Sequence, residues 1–98
     1  MKKKLRVALD WDGTVTEDMS GFGAIVRCFQ SLGHEVMIVT YRPKHWYDDI
    51  EPFLKKYDLT AIFTDGVSKK EYTEKNGIFI DIWIDDNPDT ILNTTVFE

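Results

Sequence analysis

Cys28 is the only cysteine in the chain. No disulfide can therefore close within it, and a cysteine-rich zinc site is excluded. Long apolar runs are missing as well. The start, MKKKLRVALD, is basic, but its apolar stretch is too short for a signal peptide or a membrane span. Positive charge is outnumbered, with 12 Lys and Arg against 17 Asp and Glu, for a formal net charge of -5. That balance argues against nucleic-acid binding driven by overall charge, while a local basic patch keeps nucleic acid open as a partner. His34 and His45 have no ligand-like spacing and read as surface residues. No repeat, linker or low-complexity segment appears. The expectation is a cytoplasmic protein in a reducing setting, with no membrane partner.

What is present suits one small domain over residues 1–98. At 43% hydrophobic and 13% aromatic residues the chain can fill a single core, so disorder is not expected. Leu5, Val7 and Leu9 alternate with Arg6, Ala8 and Asp10, predicting a strand that ends at Asp10. Phe22, Ile25, Val26, Phe29 and Leu32 recur at helical spacing, and Gly33 stands where a helix C-cap would. EVMIVT, 35–40, is a second strand ending at Thr40. Trp46, Ile50, Phe53, Leu54 and Tyr57 give another helical period, in which Pro52 predicts either a start near Asp49 or a kink. AIFT, 61–64, is a third strand. Ser68 and Glu71 match a capping box that opens a helix closed by Gly77. FIDIWI, 79–84, is a fourth strand running into Asp85 and Asp86, with a helix starting in NPDTIL and a last short strand in TTVFE. Such β-α alternation predicts a three-layer α/β/α, Rossmann-like parallel sheet. Ligands of such sheets sit at the carboxyl ends of the strands. Asp10, Thr40, Thr64 or Asp65, and Asp85 with Asp86 gather there.

Two carboxylates one residue apart, Asp10 and Asp12, repel each other and are costly to bury without a counter-charge. Asp85 and Asp86 add two more from another strand end. A site of oxygen ligands with few carboxylates suits Mg²⁺, which keeps waters and shares its shell with a phosphate. Asp10 is placed as a nucleophile. Asp12, on the following turn, is placed as a general acid and base. The Thr40 hydroxyl and the turn amides at Gly13 and Thr14 can bind phosphate oxygens. Lys69 or Lys70 can neutralise a transferring phosphoryl group, and Arg42 is a further candidate for the substrate phosphate.

LDWDGTVT resembles the first motif of the haloacid dehalogenase superfamily, a hydrophobic run followed by D-x-D-G-T. MIVTYR, SKKEYTEKNG and IWIDDNP resemble its second, third and fourth motifs, in the family's order, from Leu5 to Pro88. The resemblance implies a haloacid-dehalogenase-like fold and a Mg²⁺-dependent phosphohydrolase working through an aspartyl-phosphate. It makes Asp10 the nucleophile and a metal ligand, and Asp12 the acid and base that gives the metal its backbone carbonyl. Thr40 holds the phosphate. Asp86 ligates the metal directly, and Asp85 ligates through water or holds the lysine. Lys69 fits the family's distance to the helix-ending glycine, with Lys70 the runner-up. Asp12 favours phosphate over halide chemistry, since the dehalogenase branch lacks it.

The segments from Asp12 to Thr40 and from Thr40 to Lys69 are used up by single helices and strands, so no cap domain fits. An open site implies weak selectivity among small metabolites, and a macromolecular phosphate or a second subunit to cover it. Two alternatives stand beside the hydrolase. One is a non-enzymatic phospho-acceptor resembling receiver domains, whose acceptor aspartate ends a middle strand. The other is a phosphatase specific for nucleotides or polynucleotides. Trp46 and Trp83 read as core residues and Cys28 as packing on an apolar helix side. Trp11, between the two aspartates, is expected to report on the metal.

Overall fold

The structure, a computed structural model, describes residues 3–95. Four strands, β1 (Arg6–Leu9), β2 (Glu35–Thr40), β3 (Ala61–Phe63) and β4 (Ile82–Ile84), form one sheet in the order β3-β2-β1-β4, and every pair is parallel. The helices α1 (Met19–Ser31), α2 (Glu51–Tyr57), α3 (Lys69–Lys75) and α4 (Asp89–Leu92) follow the strands in turn. The result is a small Rossmann-like α/β fold. No helix among the described residues is long and apolar enough to cross a membrane.

Alternation along β1 and β2 builds two cores. Val7, Leu9, Val36 and Ile38 point to one face, where Val26 of α1 and Phe53 and Tyr57 of α2 meet them. Ala8, Met37 and Val39 point to the other, against Ile62, Ile78, Ile80 and Trp83. Both faces of a parallel sheet must be covered, and right-handed crossovers put α1 and α2 on one side and the β3–β4 connection on the other. The chain moves outward from β1 through β2 to β3, then returns across the sheet to β4. Its direction therefore reverses between β1 and β4, which is where open sheets of this kind leave a crevice. Between β1 and β2 lie only a 3₁₀ turn (Val15–Glu17) and α1, and between β2 and β3 only α2 as regular structure. No cap domain is inserted in either gap.

Several local expectations are revised. The fourth strand starts at Ile82, not Phe79, which is 62% exposed. As an edge strand β4 pairs only with β1, and the paired register begins at Val7 with Ile82. One step earlier Asp81 turns its side chain onto the Arg6 amide (2.8 Å) and the Lys3 ammonium (2.7 Å). Of the two expectations for the second helix, the start near Asp49 holds and the kink does not, and Trp46 lies outside it. The helix begins at Glu51 with Pro52 in its first turn, where a missing amide costs nothing. Trp46 is 56% exposed on the preceding turn-rich segment, so it is not core. Cys28 is exposed on the outer side of α1 rather than packed. His34 is half-buried, its Nδ1 accepting from the Leu5 amide at 3.0 Å, and is not a plain surface residue. The third helix opens as expected on Ser68, whose hydroxyl accepts from the Glu71 amide. The expected last strand in TTVFE does not begin at Thr94 or Thr95, and its remainder lies outside the described residues.

Candidate functional site

Asp10 follows β1 directly, its amide still donating to Ile84 of β4 at 2.9 Å. That bond keeps the tips of β1 and β4 side by side, so Asp10, Asp85 and Asp86 converge. One carboxylate oxygen from each lies within 4.8 Å of the others. Asp10 is buried, Asp85 is half-buried and Asp86 is exposed. Lys69, at the start of α3 and only 1% exposed, inserts its ammonium between Asp10 (2.8 Å) and Asp85 (2.6 Å). Of the two candidate lysines it is the one at the cluster. Lys70 points outward and pairs with Glu74 at 3.5 Å on the helix surface.

Three carboxylates face one ammonium, and the imbalance shows in their protonation. Burial pushes the Asp10 carboxyl up to about 7. Lys69 opposes the shift, while the Asp86 hydrogen bond and the Asp85 charge add to it. Asp86 moves the other way, below the usual carboxylate range, chiefly through its hydrogen bond with Asp10 and also through Thr14. The two carboxyls thus share a proton, which Asp10 gives up only as pH rises through about 7. A divalent cation is the natural replacement for that proton. The donor set of Asp10 and Asp86 is hard oxygen, as Mg²⁺ requires. Asp85 is committed elsewhere. It accepts from Lys69, from the Thr90 hydroxyl at 3.2 Å and from the Asn87 amide at 3.0 Å. That pattern matches the role of holding the lysine.

Thr14 ties the two strand ends together. Its buried hydroxyl lies 3.2 Å from both an Asp10 and an Asp86 oxygen, and it receives the Asp86 amide at 3.1 Å. The turn that carries it depends on Gly13, whose φ of +82° favours glycine and whose missing Cβ would sit 2.4 Å from Asp86 Oδ2. Gly13→Ala is expected to cost about 1–2 kcal/mol in backbone strain alone and to displace Asp86. Thermal denaturation and a Mg²⁺ titration check the two parts. Unchanged cation binding would remove the glycine from the site.

Thr40 ends β2 at the same rim, 1% exposed, its hydroxyl accepting from the Arg42 amide at 3.3 Å. Asp10, Asp12, Thr40, Lys69, Asp85, Asp86 and Thr90 line one shallow cleft of about 200 Å³ with Tyr41 and Asn87. Thr64, just past the end of β3, is fully buried and its hydroxyl has no partner among the described residues. It does not line the cleft.

Asp12 and Arg42 are arranged differently from the expectation. Arg42 grips Asp12 with two bonds (2.7 and 2.8 Å) and Asp49 with two more (2.6 and 3.1 Å), and it donates to the Trp46 carbonyl at 3.0 Å. The paired carboxylates raise its pKa further above the ordinary range, and Arg42 in turn lowers that of Asp49. Trp11 points into the core, edge-on to Phe53 at 5.4 Å, with its indole N–H on Asp49 at 3.2 Å. Its indole N–H therefore contacts Asp49. Asp49 escapes sequence reasoning because it reads there as a helix start. Its proximity to Arg42 and to Trp11 is set by the fold. Comparison of this chain with family models, with curated proteins and with solved structures returns no match.

Proposed function

We propose that the protein is a Mg²⁺-dependent phosphohydrolase of the haloacid dehalogenase type, acting on phosphomonoesters through a phosphoaspartate on Asp10. The observation that carries the reading is the Asp10–Lys69–Asp85 triad beside Asp86 at the β1–β4 crevice. A buried carboxylate at a strand tip, flanked by a fixed ammonium and short of positive charge, fits nucleophilic attack on an electrophile that arrives with a cation. Asp10, Asp86 and the backbone carbonyl of Asp12 would hold Mg²⁺, which supplies charge neutralisation for phosphate and nucleophile alike.

The chain's own groups divide the remaining work. Asp10 attacks phosphorus, and the leaving oxygen takes its proton from Asp12. Thr40 binds a phosphate oxygen and Lys69 neutralises charge as it builds, whereas the Gly13 and Thr14 amides, expected to bind phosphate, are spent on the Thr16 hydroxyl (2.9 Å) and the Trp11 carbonyl (3.3 Å). Asp12 then takes a proton from the water that cleaves the phosphoaspartate and returns Asp10. The receiver-like alternative uses the same groups without the last step. Asp12 on the turn after the acceptor favours the hydrolase, since turnover needs an acid and a base.

A second observation bears on the substrate. Trp46 and Tyr47 are 56% and 44% exposed, next to Lys44 and His45 on the segment that carries Arg42. Exposed aromatic faces beside Lys44, on a segment that goes on into Asp48 and Asp49, suit nucleobases, which stack on them. A nucleotide or the phosphorylated end of a polynucleotide is therefore the favoured substrate class within this reading. The test is hydrolysis of an aryl phosphate, sugar phosphates, nucleoside monophosphates, phosphopeptides and 3′- or 5′-phosphorylated oligonucleotides, each with and without Mg²⁺. Phosphate release that requires Mg²⁺ is expected, fastest with the nucleotide substrates. No Mg²⁺-dependent release from any of them overturns the hydrolase. Equal rates across the panel overturn the nucleotide preference.

A further inference from the structure

Asp49 has no role in the chemistry above, yet its carboxylate, although 56% exposed, accepts three hydrogen bonds in a cluster centred on Arg42. One oxygen accepts from the Trp11 indole at 3.2 Å and from Arg42 at 3.1 Å, and the other accepts from Arg42 at 2.6 Å. Trp11 itself cannot shift. It is 1% exposed, packs on Phe53 and is the residue between Asp10 and Asp12. Arg42 is held on a third side by the Trp46 carbonyl and has only 19% of its side chain exposed. The remaining pair of guanidinium donors meets both oxygens of Asp12, whose side chain is otherwise 57% exposed. A planar fork held at three points fixes a fourth with little freedom left. An exposed carboxylate on a turn would by contrast sample many rotamers.

We infer that Asp49 is a positioning residue: through Arg42 it orients the Asp12 carboxyl group toward the leaving-group side of the cleft. The inference rests on the hydrolase reading and extends it to a residue that touches neither substrate nor cation. It also reassigns Arg42 from the substrate phosphate to the Asp12 carboxylate. Both Arg42 and Trp11, the neighbours of Asp12 in space and in sequence, are tied to one acceptor. Asp49→Asn keeps an oxygen for the indole and removes the charge and one acceptor that hold the guanidinium.

Positioning of a proton donor matters most when the leaving oxygen is a poor one. An alkoxide needs the proton in the transition state, whereas a nitrophenolate departs without it. Values of kcat/KM report only the steps through bond cleavage, so they isolate this proton from the later attack of water. For Asp49→Asn we expect kcat/KM on an alkyl phosphate to fall ten- to a hundredfold and on p-nitrophenyl phosphate to fall less than threefold. With Arg42→Lys already in place, adding Asp49→Asn should cost little more on the alkyl phosphate, since the two act as one unit. An equal fall on both substrates, or full additivity, overturns the positioning role. The linkage itself is read without turnover from the NMR signals of the Trp11 indole N–H and the Arg42 Nε–H. Both should move in Asp49→Asn at unchanged backbone shifts in the sheet, and immobility of the Arg42 signal overturns the clamp. Signals that shift as expected in Asp49→Asn, together with a wild type that releases no phosphate from either ester, overturn the hydrolase and with it the catalytic use of the clamp.

Discussion

Asp10→Asn is expected to abolish turnover and, at the same time, to make the cation-free protein more stable. The loss of activity follows from removing an anionic nucleophile at constant shape, and should be at least about a thousandfold. The gain in stability follows from the shift of the Asp10 carboxyl up to about 7, caused chiefly by burial. A raised carboxyl pKa means that the folded state holds a proton that the unfolded state has released. Stability therefore falls as pH rises from near 4 through about 7, and the full cost is present above that. At the ordinary conversion the shift amounts to about 4 kcal/mol at most. Asparagine carries no such penalty, and its amide can still donate to Asp86 and accept from Lys69. Thermal midpoints in chelator should be higher for the variant at pH 8, by roughly 4 °C or more for each kcal/mol recovered. The difference should close toward pH 5. Mg²⁺ should raise the wild-type midpoint and leave the variant almost unmoved. A variant less stable than wild type at pH 8 would show that the ionised carboxylate is well accommodated after all.

The groups behind that prediction were readable in the sequence because they are tied to strand ends. Asp10, Thr40, Asp85 and Asp86 each follow a short apolar run, and a parallel β-α order sends all such ends to one rim. Lys69 was separable from Lys70 only in part, because both begin the same helix. The structure separates them by burial, one turned in to the crevice and the other out to Glu74. Apolar pattern proved a weaker guide where partners are lacking. FIDIWI has the composition of a six-residue strand, but Asp81 takes the Arg6 amide on its side chain rather than its carbonyl, and the paired register starts only at Ile82. Trp46 falls in register with the second helix, yet Pro52 fixes the start of that helix and leaves the tryptophan outside. The Asp12–Arg42–Asp49 clamp left no trace in any local pattern. Its members lie on separate turns, and their approach depends on how β1, β2 and α2 pack.

Lys69→Met is expected to be the most damaging single change for stability, and its damage should depend on pH. The ammonium is 1% exposed, lies between two carboxylates at 2.6 and 2.8 Å, and stands 5.9 Å above the Tyr41 ring. Methionine replaces the aliphatic stem without the charge. Asp10 and Asp85 are then left buried and uncompensated, a situation that costs about 3–5 kcal/mol in comparable pairs. For a small domain that is a large part of the whole stability. The cost must be greatest where Asp10 is ionised. As pH falls through about 7 the protein can neutralise Asp10 by taking up a proton, so the gap between variant and wild type should be wider at pH 8 than at pH 5. The control is one residue away. Lys70 is exposed and 3.5 Å from Glu74, so Lys70→Met should change stability by no more than about 0.5 kcal/mol. A second check is compensation. Adding Asp10→Asn to Lys69→Met removes one of the stranded charges and should recover part of the loss. Denaturant unfolding of the four proteins at both pH values measures all of this. A gap that is the same at pH 5 and pH 8, with no recovery in the double variant, would mean that Lys69 stabilises the fold by packing and not by its charge.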